Sequence, residues 1–224
     1  MSAEHVEASE GATGREALLA SAGILAFLGA VKGLASAVPS LAEILFTGAI
    51  AAQLLWPSLR IGHAGIDHDS LGLHLRGWKG ELLAFALAAT LTGVPYALGF
   101  WWLEGGAMQL RWPPGMLERV AVEVGVIGLS EELFFRGYIQ ERFQRRFPGG
   151  LPILGVRLGP AILLTSAVFA LAHFVGDYRP ARLATFFPSL VFGLLRARRG
   201  SLVAAVGYHA FCNLLADVMF ASRS

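Results

Sequence analysis

Charge is scarce in this sequence, and cysteine is nearly absent. Only 15% of its 224 residues are Asp, Glu, Lys or Arg, where an average soluble domain carries ~25%. Apolar residues fill the gap: they make up 55% of the chain and give a mean hydropathy of +0.58. Several stretches reach the ~20 mostly apolar residues needed to cross a ~30 Å hydrocarbon layer, with one charge or none inside. A soluble globular chain and a disordered one are both excluded. The single cysteine, Cys212, rules out an internal disulfide. A positively charged start is also missing, because Glu4, Glu7, Glu10 and Glu16 face only Arg15. That is not the pattern of a cleaved secretory signal, so the first apolar segment is expected to remain in the mature protein. The formal net charge is only +2. Although the pI is near 9.0, the basic residues are scattered between apolar segments, which speaks for membrane topology and against a nucleic-acid partner. All basic residues except Lys32 and Lys79 are arginines, a skew that fits a GC-rich genome. There is no internal repeat and no low-complexity linker. HExxH, GxSxG, P-loop and GxGxxG patterns are absent too.

What is present is a succession of seven apolar segments: Glu16–Val38, Leu41–Leu59, Glu81–Leu103, Met116–Tyr138, Gly159–Val175, Leu183–Leu195 and Ser201–Phe220. They predict an all-α, polytopic transmembrane bundle of about seven spans. A polar tail over residues 1–15 would precede a single membrane-embedded domain over residues 16–220. Pro39–Ser40 is too short for anything but a tight turn between the first two helices. Arg60–Gly80 reads as a polar interfacial loop. Gln140–Phe147 places Phe143 and Phe147 four apart among charges, which predicts a short amphipathic helix on the membrane surface. Leu183–Leu195 is the weakest span, being short and containing Pro188. With seven crossings, Lys and Arg divide 12 to 6 in favour of the N-terminal side. By the positive-inside rule this predicts an integral protein of the cell (cytoplasmic) membrane with a cytoplasmic N terminus.

Ionisable residues inside apolar segments are costly and mark function or a buried pair. The fourth segment carries Ser130-Glu131-Glu132-Leu133-Phe134-Phe135-Arg136. Adjacent carboxylates repel, and Arg136 lies four residues beyond Glu132, on the same helix face. Glu131 points about 100° away and is left without that partner, free to accept a proton. The plainer alternative is a charge cluster at a helix end, solvated by headgroups. The fifth segment places Phe169 and His173 one turn apart. The seventh places His209 and Asn213 one turn apart, with Asp217 one turn further on. His and Asn can also tie helices together without chemistry. Taken together, a carboxylate, two imidazoles and an amide on three helices are the parts a peptide hydrolase needs to activate water and hold an oxyanion. Ser130 and Cys212 are weaker candidates, as nucleophiles. One geometric difficulty remains. Glu131 lies ~10 Å, and His173 ~20 Å, from the shared end of their drawn spans at helical rise. For the two to meet, the fifth helix must begin outside the membrane or the fourth must extend further.

Glu131-Glu132-x-x-x-Arg136, Phe169-x-x-x-His173 and His209-x-x-x-Asn213 resemble, in order and on three separate segments, the motifs of the CPBP intramembrane proteases. That family includes the Ras-converting CAAX endopeptidase and bacterial proteins linked to bacteriocin self-protection. The chain is also similar in size to short bacterial members thought to process C-terminal sorting tails in the manner of myxosortases. The resemblance covers Glu131–Asn213, within a motif-bearing core at residues 116–220, and implies a glutamate-dependent endopeptidase with no cofactor. Glu131 with His173 would activate water, while His209 and Asn213 would stabilise the oxyanion. Arg136 would hold Glu132, and Phe169 would shape the pocket. The implied partners are the lipid bilayer and a membrane-anchored or lipid-modified protein or peptide substrate. Three alternatives stand beside it: a zinc protease with Glu131, His173 and His209 as ligands, a non-catalytic immunity or chaperone-like membrane protein, and a transporter.

Overall fold

The computed structural model describes residues 3–63, 65–104, 109–153 and 155–223, with side chains from residue 11 onward. Met1 and Ser2, the start of the expected polar tail, lie outside the described residues. Helix α1 runs over Ala3–Ala37, so helical backbone already begins within that tail. It stops where Val38 precedes Pro39, because a residue before proline is pushed out of the α region; Val38 has φ −133° and ψ 82°. The 3₁₀ turn Pro39–Leu41 leads directly into α2 (Ala42–Leu59), which packs against α1 as the short connection requires. Helix α3 spans Trp78–Leu103.

Helix α4 is one rod over residues 116–146. Its α-helical pieces Met116–Val122, Leu129–Glu132 and Gln140–Arg146 are joined by π turns at Glu123–Gly128 and Leu133–Ile139. The segment expected as a separate surface helix, Gln140–Phe147, is therefore the end of α4. Gln140, Arg142 and Phe143 in it are buried, packed against α1 and α5 (Pro160–Asp177). This correction also removes the depth difficulty. From Glu131 to the end of α4 is ~22 Å, and from Pro160 to His173 ~20 Å, at helical rise. The two helices are joined by a small antiparallel hairpin, β1 (Leu151–Ile153) with β2 (Val156–Leu158), in which Leu151 pairs with Leu158.

Helix α6 (Phe186–Arg199) and α7 (Val203–Ala221) complete the chain. Pro188 does not break α6, because it sits in the first turn, where no intrahelical N–H is required. Gly200 ends α6 at φ 74°, the left-handed terminal position that glycine fills at no steric cost. Among the described residues, five helices are long and apolar enough to cross a membrane: α1 from Gly11, α2 with its preceding turn, α3, α5 and α7. The other two of the seven expected segments are of a different kind. Helix α4 has the length but carries ten charged residues. The 14 residues of α6 rise only ~21 Å, too short to cross alone.

The core lies between α4, α5, α6 and α7, around Leu133, Phe135, Tyr138, Phe169, Phe192 and Tyr208. The loop after α2, expected to be interfacial, also contributes to it. Ile66 and Leu71 are buried, the Leu202 N–H donates to the Gly72 carbonyl, and Arg196 reaches the Ser70 carbonyl at 2.6 Å. Two carboxylates bolt the outer helices on. Glu81 accepts from Arg199 and from the Ala204 N–H, both at 3.2 Å. Glu16 accepts from Arg60 at 2.6 Å and from the Tyr138 hydroxyl at 2.7 Å.

Candidate active site

The site begins with the pair that sequence spacing placed on one face of α4. Arg136 donates to Glu132 Oε1 at 3.0 Å, and both side chains are fully buried. A buried charge needs its remaining donors satisfied, and α6 supplies what α4 lacks. Arg136 Nη2 reaches Ser189 Oγ at 2.5 Å and the Ser189 carbonyl at 3.3 Å. The guanidinium lies over the rings of Phe169 at 4.3 Å and Phe192 at 4.7 Å, a geometry in which the ring quadrupole attracts the cation. Ser189, Phe192, Gly193 and Arg196 are buried and spaced as one helical face. The short α6 is therefore an amphipathic wall for the site.

Glu132 Oε1 also meets His209 Nδ1 at 2.8 Å, joining α4 to α7. The imidazole is stacked on Phe192 with centroids 5.0 Å apart and planes 8° apart, and it meets Phe169 edge-on at 5.8 Å. His173 on α5 is held by its Nδ1 against the Phe169 carbonyl at 3.0 Å. A carbonyl only accepts, so Nδ1 carries the proton there; the same logic applies to His209 against an ionised Glu132. Both imidazoles thus turn Nε2 toward one atom, Glu131 Oε2, at 3.9 Å from His173 and 3.8 Å from His209. Glu131 Oε2 is buried and has no hydrogen-bond partner. The two gaps exceed hydrogen-bond length. The adjacent carboxylates are therefore in opposite conditions: Glu132 is tied to two cations or donors, whereas Glu131 faces two imidazoles without touching them.

The fold brings Glu131, Glu132, Arg136, Phe169, His173 and His209 into one cluster. It treats the others differently. Asn213 lies one turn beyond His209 and donates to Glu123 Oε2 at 2.7 Å. Asp217 pairs with Arg119 at 3.0 Å near the surface, away from the cluster. Ser130 is buried with its hydroxyl on the Ile127 carbonyl, and Cys212 is a free, partly buried thiol beside Tyr208. Among the described residues, no group of three or more His, Cys, Asp or Glu is arranged to hold a metal ion; His209 has one nitrogen committed to Glu132. Sequence reasoning missed Glu123, Ser189 and Phe192. Glu123 is an acid inside an apolar segment, the signal used for its neighbours, and could have been found that way. Ser189 and Phe192 sit in the segment whose character was least clear.

Residues 113–215 match the family model described as type II CAAX prenyl endopeptidase Rce1-like. No curated protein and no solved structure matches the chain.

Proposed function

We propose, from the match of residues 113–215 to the Rce1-like CAAX prenyl endopeptidase family model, that this chain is an intramembrane peptidase that cleaves lipid-modified peptides with water activated by Glu131. The observation that carries the reading is the unpartnered, buried Glu131 Oε2 facing two imidazole nitrogens at 3.8 and 3.9 Å. A water held by Glu131 and His173 would pass its proton to the carboxylate as its oxygen attacks the peptide carbonyl; Glu131 or His173 would then deliver that proton to the departing amine. His209 and Asn213 would stabilise the oxyanion, His209 through Nε2 once it carries a proton. Glu132 would support that protonated form, since it accepts from Nδ1. Arg136 would hold Glu132 in place.

A cavity of about 750 Å³ between α3, α4 and α7 is lined by Leu82, Phe85, Val124, Leu129, Val206 and Phe211 among others. Its apolar walls suit the prenyl chain named in the family description, and Leu129 sits two residues from Glu131. The protein would lie in the cell membrane with its N terminus cytoplasmic. With α4 crossing as well, nine of the fourteen Lys and Arg residues ahead of α6 would fall on that side.

The test is cleavage of a farnesylated CAAX peptide by the purified protein in detergent. Wild type should cleave it faster than the unprenylated peptide, and Glu131→Gln should not cleave it. Chelators should leave the rate unchanged. Stoichiometric zinc, with activity lost on chelation and regained on zinc addition, would replace this mechanism with metal catalysis.

A further inference from the structure

Glu123 is a third carboxylate on α4, two turns before Glu131, and it has no part in the mechanism above. It is half-buried, and its Oε2 lies 2.7 Å from Asn213 Nδ2 on α7. An ionised carboxylate has no proton to give. Only the nitrogen end of the Asn213 amide can face it, so this contact selects one of the two amide orientations. The carbonyl end is turned away from Glu123, and Nδ2 keeps a second N–H beyond the one given to the carboxylate.

The backbone is built to make this contact. Glu123 opens the π turn Glu123–Gly128, a helix irregularity common at functional sites. The turn takes residue 123 out of α register with residues 129–132. One rod can then aim Glu123 at Asn213 and Glu131 at the imidazoles. Position 128 tolerates the turn only as glycine, since a Cβ there would lie 2.6 Å from the Glu123 carbonyl oxygen and 3.4 Å from that of Val206 on α7.

We propose that Glu123 is a positioning residue that fixes the orientation of the Asn213 amide, so that the remaining Nδ2–H and not the carbonyl oxygen is offered to the developing oxyanion. This rests on the reading of Asn213 as an oxyanion donor. With the acceptor removed, the amide can rotate by 180° and present Oδ1, which repels the anion it should stabilise.

The experiment measures kcat and KM for a farnesylated CAAX peptide with full-length protein in detergent, beside thermal unfolding of each variant. Asn213→Ala should lower kcat by ~10²–10³-fold, the usual worth of one oxyanion donor. Glu123→Met keeps the length of the side chain but accepts no such bond, and should lower kcat by about 10- to 100-fold, a part of that donor's worth, with KM little changed. Glu123→Leu is a second acceptor-free variant should Met disturb the fold. Glu123→Gln retains an acceptor oxygen and should recover kcat to within about threefold of wild type, a residue of the ~10²-fold scale at stake. Glu123→Met should add nothing further in an Asn213→Ala background. Wild-type kcat in both acceptor-free variants, or a loss that multiplies fully with that of Asn213→Ala, would overturn the positioning role while leaving the oxyanion reading intact. Wild-type kcat in Asn213→Ala, or no cleavage by the wild-type protein, would instead overturn the functional reading and this inference with it.

Discussion

Helices α2 and α3 and helices α5 and α7 are all apolar enough to cross a membrane, yet they use their surfaces in opposite ways. Only 11% of the spanning window of α2, and 11% of that of α3, is buried within the protein, against 39% for α5 and 44% for α7. The outer pair turns Leu55, Leu83, Leu91 and Leu98 outward, while α3 lays its other face along α7, with Phe85 edge-on to Phe211 and Thr92 bonded to the Tyr208 hydroxyl. The inner pair, with α4 and α6, encloses Glu132, Arg136, Ser189 and His209 without exposure to solvent. The buried charge is kept where neighbouring helices answer it, as Ser189 on α6 and His209 on α7 do for Arg136 and Glu132. In lipid, an unanswered polar group costs several kcal/mol, and most of the buried polar side chains lie on the inner helices.

The largest effect on this contrast should come from removing one member of the buried network. Arg136→Ala leaves Glu132 charged beside only His209 and is expected to cost ~3–5 kcal/mol, read from unfolding in detergent. Adding Glu132→Gln should recover part of the loss. Wild-type unfolding for Arg136→Ala would mean the network does not hold the inner helices together. A smaller effect is expected at Gly137, where a Cβ would lie 2.7 Å from the Leu71 carbonyl oxygen. Backbone must move to admit it, so Gly137→Ala should cost ~1–3 kcal/mol. The smallest effects should come from the outer helices. Added Cβ atoms at Gly48 on α2 and Gly99 on α3 meet nothing within 4 Å. Gly48→Ala and Gly99→Ala should be neutral or stabilising by up to ~1 kcal/mol through helix propensity. Losses there as large as at Gly137 would erase the distinction between the two halves.

How much of this was legible in advance depended on the range of the interaction. The Glu132–Arg136 pair follows from i, i+4 spacing alone, as does the placing of Phe169 with His173. The apolar runs located all seven helices. Contacts between helices were not legible. Nothing local to Glu16 announces Arg60 and Tyr138, and nothing local to Glu132 announces His209. The end of α4 was misread for a related reason. Phe143 and Phe147 among charges look the same whether their partner is a lipid headgroup or the polar inner faces of α1 and α5. The π turns left no trace in the periodicity used, yet they set which way Glu123 and Glu131 point. Helix α6 was read as a weak span because length and apolarity were weighed, whereas its meaning lies in the buried face of Ser189, Phe192 and Gly193.

The central claim is that two adjacent carboxylates, one bound by Arg136 and His209 and one left facing two imidazoles, do separate jobs. Paired measurement of Glu131→Gln and Glu132→Gln tests it most directly, with peptide cleavage and thermal unfolding read on the same preparations. Glu131→Gln should unfold like wild type and lose at least ~10²-fold in cleavage, the usual scale of a general base. Glu132→Gln should unfold at clearly lower temperature, because it leaves the buried Arg136 without its counter-charge. Equal unfolding of the two variants, or more than about a tenth of wild-type cleavage in Glu131→Gln, would contradict the account.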